Sequence, residues 1–180
     1  DANTTGSYNT AVGSKALSTA TTVDGQDAFG YKALYAANDS SVHNTAIGYQ
    51  ALMACTSGTR NVALGWEAGV ALTTANRCTI IGQNAGQGVL TGDDNVIIGR
   101  EAGKEMTSGS NNTCVGKDAG KDITTGGSNV CIGNRAGDDV LSTDGDRLFI
   151  ARSNVGAGND ACWIYGNNTG VCYQGNNSSS

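Results

Sequence analysis

One glycine recurs along this chain at a nearly constant interval, and this constrains the fold more than any other feature. The intervals are 17 residues, with a single interval of 18, and the glycines are Gly13, Gly30, Gly48, Gly65, Gly82, Gly99, Gly116 and Gly133. A fixed short period is the signature of a repeat architecture, in which each unit packs on its neighbours. The chain is therefore expected to form eight stacked units, which we call rungs 1 to 8 after these anchor glycines.

The chemistry around each anchor glycine repeats as well. The residue before it (position −1) is always large and apolar, and the third residue after it (+3) is always alanine. Position −4 is usually asparagine, either to stack amides between rungs or to serve the turn before a strand. Alternation along positions −4 to −1, with many Gly and Asn residues, favours a short strand over a helix. We predict an all-β fold: a parallel β-solenoid, or β-roll, of eight 17-residue rungs over residues 1–145, and a small C-terminal β cap over 146–180.

Position −2 holds Ala, Ile or Cys, although alternation places it on the strand face opposite position −1. A single roll has one interior, so a strand that is apolar on both faces needs cover on both. A second chain packed on the other face, most simply about a threefold axis, is the economical explanation. A wider, three-sided coil of one chain is the alternative. We expect a homotrimer.

The repeat motif also carries a family resemblance. Residues 44–52 (NTAIGYQAL) and 9–17 (NTAVGSKAL) resemble the repeats of phage tail fibres and, more distantly, the head repeats of trimeric autotransporter adhesins. Residues 146–151 and 163–166 resemble a stretch that precedes an endosialidase-type intramolecular chaperone, a domain not found in these 180 residues. The resemblance implies a homotrimer with an adhesive or receptor-binding role, placed outside the cell or on a virion surface.

Three aromatic residues, Tyr31, Tyr49 and Trp66, follow the anchor glycine in successive rungs. The later rungs carry polar residues there, such as Arg100 and Lys117, so this column is expected to face outward. Exposed aromatic faces often hold sugar rings, which makes the stripe a predicted glycan site. Mutual stacking, or packing between chains, is the alternative interpretation.

The six cysteines provide two candidate disulfides. Cys114 and Cys131 occupy position −2 of adjacent rungs, where either a disulfide or two buried thiols would fit. Cys162 and Cys172 lie ten residues apart in the cap and could staple it. The cysteine spacing matches no zinc motif, and the acidic pairs are read as solvated turns, so no metal or cofactor is expected.

Several functional classes are disfavoured. The net charge of −5 with 11 Lys and Arg argues against a nucleic-acid partner, and no apolar run is long enough for membrane insertion. The single histidine, His43, has no catalytic partners, so we expect no enzyme. The leading hypothesis is a structural, receptor-binding fibre segment, with a subunit of a self-assembling extracellular filament as the alternative. An ice-binding solenoid ranks last, because position −3 alternates Thr with Val and is expected to face inward.

Overall fold

The computed structural model describes residues 5–38, 42–138, 142–151, 162–166 and 172–174. Within these ranges the chain is all-β and contains no helix. The strands are Thr10–Val12 (β1), Asp27–Phe29 (β2), Thr45–Ile47 (β3), Val62–Leu64 (β4), Thr79–Ile81 (β5), Val96–Ile98 (β6), Thr113–Val115 (β7), Val130–Ile132 (β8), Leu148–Ala151 (β9), Cys162–Gly166 (β10) and Cys172–Gln174 (β11).

The strands form one sheet whose spatial order is the chain order. Strands β1 to β9 pair in parallel and in register, so that equivalent repeat positions such as Ala28 and Ala46 lie side by side. Strands β10 and β11 add in antiparallel orientation within the segment predicted to form the cap. The predicted parallel β-solenoid is thus confirmed, with a rise of about 4.8 Å per rung.

The anchor glycine forms the corner that ends each strand. Its φ lies between +120° and +137° in all eight rungs, where a side chain is strained. Space excludes a side chain as well: a Cβ on Gly99 would lie 2.3 Å from the carbonyl oxygen of Gly116 in the next rung. The chain turns again at positions +2 and +4, which also have positive φ. The glycine period therefore follows from backbone stacking on backbone.

The interior is narrow and filled mainly by small residues. The buried columns are position −2, from Ala28 to Cys131, and the alanines of position +3, from Ala16 to Ala136. Larger side chains such as Leu72 and Met106 complete the core. Because Cβ atoms of stacked rungs lie one above another, each column becomes a continuous apolar row along the rod.

A ladder of buried asparagines at position −4 joins the rungs. The backbone N–H of Asn61 donates to Oδ1 of Asn44 (2.8 Å), and the backbone N–H of Cys78 donates to Oδ1 of Asn61 (2.9 Å). Nδ2 of Asn61 donates to the carbonyl of Ala75 (2.8 Å), in the turn that precedes the next strand. Each asparagine amide therefore joins stacked rungs and also holds the turn that precedes the next strand.

The inward position of the asparagines decides which strand face is exposed. Since successive side chains alternate, positions −4 and −2 face the interior, and positions −3 and −1 face outward. Leu64 at position −1 is 44% exposed, and Thr45 and Thr79 at position −3 are half-buried on the same outer face. The prediction that the threonines of position −3 face inward is therefore wrong.

Candidate functional site

The outward face of the parallel sheet runs through all nine parallel strands. This outer sheet face consists of positions −3 and −1 of β1 to β9, and its side chains are aliphatic or threonine apart from Asp27 and Phe29. The threonine column is outward but is interrupted by Val62, Val96 and Asp27. The regular threonine array that would suit ice binding is therefore not present.

The area of the outer sheet face can be compared with the largest apolar patches on ordinary monomers. Nine in-register strands at about 4.8 Å spacing give a length of about 40 Å, and two side-chain columns give a width of about 10 Å. The resulting area, about 400 Å², equals the largest apolar patch of an ordinary monomer and here forms one straight strip. The strip is a candidate interaction surface.

The aromatic residues of rungs 2 to 4 stack on one another. Ring centroids of Tyr31 and Tyr49 are 5.3 Å apart at 21°, and those of Tyr49 and Trp66 are 4.1 Å apart at 15°. The ammonium of Lys32 lies 5.5 Å from the Tyr31 centroid and 5.4 Å from that of Tyr35. We call Tyr31, Tyr49 and Trp66 the aromatic ladder.

This stacking limits how the aromatic ladder could hold a sugar. The facing surfaces of the three rings are covered by each other, and the Lys32 ammonium lies over the Tyr31 ring. Within the described residues no aromatic ring covers the second surface of Trp66, which is 52% exposed. A sugar ring could therefore stack only on Trp66, while the tyrosines offer their edges and hydroxyl groups. Glycan binding stays a prediction.

The aromatic ladder is local, whereas the outer sheet face is continuous. The +1 residues that follow Trp66 are the exposed Gln83, Arg100, Lys117 and Asn134. Position −1 remains apolar through the same rungs, up to Ile132. A surface repeated in every rung suits self-association, whereas a surface confined to three rungs suits a separate partner.

The four cysteines of the solenoid are buried thiols in the structure: Cys55, Cys78, Cys114 and Cys131. Cys114 and Cys131 are register partners on β7 and β8, as predicted from their column. A hydrogen bond with Cys131, together with burial, raises the pKa of the Cys114 thiol well above its usual value. Their pairing as a disulfide stays a prediction.

The side chains of Cys162 and Cys172 lie outside the described residues, but their backbone register is known. Gly166 of β10 lies opposite Cys172 of β11. Cys162 is four residues from Gly166 along the strand, a separation of about 13 Å. A disulfide joins Cα atoms about 4.4–6.8 Å apart, so the predicted pair would require another register.

Several charged side chains pair at the surface, whereas Asp138 is buried and pairs with Arg135 (2.7 Å). Arg77 contacts Asp94 (2.6 Å) and Asp93 (3.3 Å), and the hydrogen bond from Arg77 lowers the pKa of Asp94. A hydrogen bond from Lys104 likewise lowers the pKa of Glu101. Across the residues that the structure describes, no group of His, Cys, Asp and Glu could hold a metal ion. In the same residues, no helix has the length and apolar character needed to cross a membrane.

The geometry defines the class of protein: a parallel β-solenoid repeat protein of about eight turns. Comparison with protein-family models, with curated proteins and with solved structures finds no match. The resemblance to tail-fibre repeats therefore stays a prediction. Sequence reasoning missed the outward direction of positions −3 and −1, and it also missed Asp27. Asp27 could have been found as the one charged residue among the −3 and −1 positions of the nine parallel strands.

Proposed function

We propose that this chain is a structural and receptor-binding segment of a homotrimeric fibre on a virion or cell surface. The observation that carries the proposal is the outer sheet face, which presents an apolar side chain at position −1 in every rung, exposed in rungs 1 to 4 and 8 and half-buried in rungs 5 to 7. Around a threefold axis parallel to the rod, each chain would turn the same strip inward, and equivalent rungs would meet at equal heights. Packing of three strips would remove from water an apolar surface that the single chain leaves exposed.

The adhesive role in this proposal falls to the aromatic ladder. The aromatic ladder follows the glycine corner, whereas the outer sheet face precedes it. The later rungs carry polar residues at the same position, so the repeat fold does not need aromatic side chains there. Trp66 offers a ring surface and an indole N–H, and Lys32 adds a positive charge. Carbohydrates with both apolar ring faces and oxygen acceptors fit this combination.

Assembly is tested by light scattering of the purified chain in solution. We expect a discrete mass three times the 18.2 kDa chain. Replacing Ile98 by Lys on the outer sheet face should give folded monomers, because the side chain is outward and its removal leaves the core intact. Replacing the exposed Gln83 by Lys should preserve the trimer. A wild-type monomer would refute the proposal.

Receptor binding is tested on a glycan array with wild-type protein and two variants. Trp66→Ala removes the open ring surface and should abolish any glycan signal. Asn134→Ala alters the same repeat position in rung 8 and should leave the signal unchanged. Equal signals from both variants would place receptor binding elsewhere on the chain.

A filament subunit is the second candidate, favoured by the first rung. Thr10, Ala11 and Val12 of β1 are all exposed, although the residues equivalent to Ala11 in later rungs are buried. Where no further rung covers β1, its strand edge is a template for pairing with another chain. End-to-end growth would give a continuous distribution of large species in sedimentation velocity, and its dependence on β1 would appear as suppression by Ala11→Pro.

A further inference from the structure

The uncovered surface of Trp66 faces the next rung of the solenoid. The three rings of the aromatic ladder occupy position +1 of successive rungs and are stacked nearly parallel, so their planes lie across the rod. Tyr49 covers the side of Trp66 toward rung 3, and the other side is directed toward rung 5. The backbone N–H of Asn84 donates to the carbonyl of Trp66 (2.9 Å), which joins rung 5 to rung 4 at this point. A ring stacked on Trp66 at the 4.1 Å spacing found between Tyr49 and Trp66 would therefore lie at the level of rung 5.

Rung 5 presents amides at the level where such a ring would lie. The ammonium of Lys32 at position +2 lies over the rings at both +1 and +5 of rung 2, so these three positions share one face of the rod. In rung 5 they are Gln83, Asn84 and Gln87, and no other rung carries an amide at all three. Positions +1 and +5 are aromatic or apolar in rungs 2 to 4 and are Arg or Lys in rungs 6 and 7. Uncharged amides both donate and accept hydrogen bonds, which suits the hydroxyl groups of a sugar.

The amide of Asn84 has a hydrogen-bonding group that the fold does not use. Its Oδ1 is buried and accepts no hydrogen bond from the residues that the structure describes. A buried acceptor without a partner is unfavourable, and a hydroxyl group that donates to it would remove this cost. Asn84 as a whole is half-buried, and the terminal torsion of an asparagine is broad, so its amide can rotate toward a ring on Trp66.

The charges beside this position favour an uncharged ligand. Oε2 of Glu67 accepts a hydrogen bond from Nε2 of Gln87 (3.3 Å), which holds a carboxylate between rungs 4 and 5. A carboxylate is a strong acceptor for hydroxyl groups, and it repels an anionic sugar. The next cation along the +1 column is Arg100 in rung 6, and its Nη1 lies 2.8 Å from Oε1 of Glu101. Lys32 lies at the opposite end of the aromatic ladder.

Resting on the receptor-binding role proposed above, we infer that the aromatic ladder binds a neutral pyranose of a glycan chain, stacked on Trp66 at the level of rung 5. Gln83 and Asn84 hydrogen-bond its hydroxyl groups. Glu67, held by Gln87, accepts a further hydroxyl and excludes acidic sugars. An aromatic surface with a few placed polar groups is the usual composition of a small-molecule site. The ligand class is thus a neutral hexose or N-acetylhexosamine, and sugars that carry carboxylate or sulfate are disfavoured.

Selectivity for uncharged sugars is tested with matched probes. The probes are linear oligosaccharides of glucose, of galactose and of N-acetylglucosamine, each beside a counterpart whose C6 hydroxymethyl groups are oxidised to carboxylates. In isothermal titration calorimetry with the whole chain, at least one neutral probe should bind at least about tenfold more tightly than its acidic counterpart. Trp163→Phe leaves Trp66 as the only tryptophan, so a fluorescence change on binding locates the sugar at Trp66. Glu67→Gln keeps the side-chain shape and removes the charge, and it should reduce the preference to less than about threefold.

Two further substitutions separate the amides from the aromatic surface. Gln83→Tyr extends the aromatic ladder by one rung, so a sugar must stack at the level of rung 6, beside Arg100 and Glu101 and away from the amides. We expect at least about tenfold weaker binding of the neutral probe. Asn84→Gly, which suits the positive φ of 55° at this position, should weaken binding to a similar degree. Lys117→Tyr places the same ring in the same column two rungs away and should leave binding unchanged, and circular dichroism checks that all variants fold.

The outcomes separate this inference from the proposed function. Binding of no probe, or binding that Trp66→Ala leaves unchanged, refutes the receptor role of the aromatic ladder, and the inference falls with it. Binding that depends on Trp66 but is as tight for the acidic probes refutes the inference alone. Full retention of binding in Gln83→Tyr and Asn84→Gly does the same, because the aromatic surface would then suffice without the amides.

Discussion

Replacement of one ladder asparagine by alanine tests the interior of the solenoid most directly. Asn112 lies at position −4 of rung 7 and is fully buried. Its Oδ1 accepts the backbone N–H of Asn129 (3.0 Å), and its Nδ2 donates to the carbonyl of Gly126 (2.9 Å). Its own backbone N–H donates to Oδ1 of Asn95 and does not depend on the Asn112 side chain. Asn112→Ala therefore removes partners from two groups of the following rung.

The expected cost follows from these two groups. A buried donor or acceptor left without a partner costs about 1–3 kcal/mol, so the substitution should lower the free energy of unfolding by about 2–6 kcal/mol. Against a typical total of about 5–15 kcal/mol, a loss of this size is easily detected. The deleted side-chain volume would add a smaller cavity penalty.

The measurement is a urea titration followed by circular dichroism, and it compares transition midpoints and slopes because a repeat array can lose cooperativity. Asn134→Ala is the matched control, since Asn134 is exposed and makes no ladder bond; it should change the free energy by less than about 0.5 kcal/mol. If Asn112→Ala and Asn134→Ala gave the same small change, the ladder would contribute no net stability and the reasoning would fail.

Three further predictions concern the same interior. Cys78 takes the place of the asparagine in rung 5 and its Sγ makes a long contact (3.5 Å) with the Gly92 carbonyl, so Cys78→Asn should supply a stronger amide hydrogen bond and raise the free energy of unfolding by about 1 kcal/mol in the same titration. Gly99→Ala should prevent folding at 25 °C, seen as lost β-type circular dichroism, because its Cβ would meet the Gly116 carbonyl. Folding raises the pKa of the Cys114 thiol above its value in the unfolded chain, about 8.5. The protonated thiol therefore contributes its full stability below that pH, and the contribution is lost as pH rises through the pKa of the folded state. Unfolding titrations from pH 8 to 10 should therefore show a shallower decline for Cys114→Ala; an unchanged slope would contradict the assignment.

The rung architecture was predictable because it depends on the backbone. A glycine that stacks on the next glycine tolerates no other residue, so the period is visible in the bare sequence. The direction of each strand face was not predictable from hydrophobicity, since Ala46 and Ile47 are both apolar and alternate. The evidence that decides it is the asparagine at position −4, whose two-sided hydrogen bonding satisfies buried backbone groups. The backbone groups that these amides bind belong to other rungs, so only the stacked structure shows that the asparagine side of the strand is buried.

The aromatic ladder was predictable in part. The repeat spacing places Tyr31, Tyr49 and Trp66 in one column, and the structure confirms that they are neighbours. Side-chain torsions decide whether rings open toward solvent or stack, and repeat spacing carries no information on them. Stacking at 4.1 Å between Tyr49 and Trp66 leaves a smaller sugar-binding surface than three open rings would offer.

In the core, the side-chain size at position −2 is related to the size at position +4, which becomes visible only when several rungs are compared. In rungs 2 and 3, position −2 is alanine and position +4 is a buried leucine, as in Ala46 with Leu52. In rungs 5 and 6 the sizes are exchanged, as in Ile97 with Gly103. A Cβ on Gly103 would lie 3.3 Å from Cδ1 of Ile97, so the two positions compete for one space. The combined size of the two side chains is similar in rungs 2, 3, 5 and 6, whereas rung 4 is small at both positions, with Ala63 and Gly69.

This compensation predicts a strongly non-additive pair of substitutions in rung 3. Ala46→Ile alone should overpack the core by about 1–3 kcal/mol, and Leu52→Gly alone should cost about 2–5 kcal/mol through the cavity it leaves. The double variant rebuilds the arrangement of rung 6 and also relieves the positive φ of Leu52 (49°). Its free energy of unfolding should return to within about 1.5 kcal/mol of the wild-type value, a coupling of about 2 kcal/mol or more. Simple addition of the two single losses would show that positions −2 and +4 fill separate spaces, and the exchange of sizes between rungs 3 and 6 would then have no cause in packing.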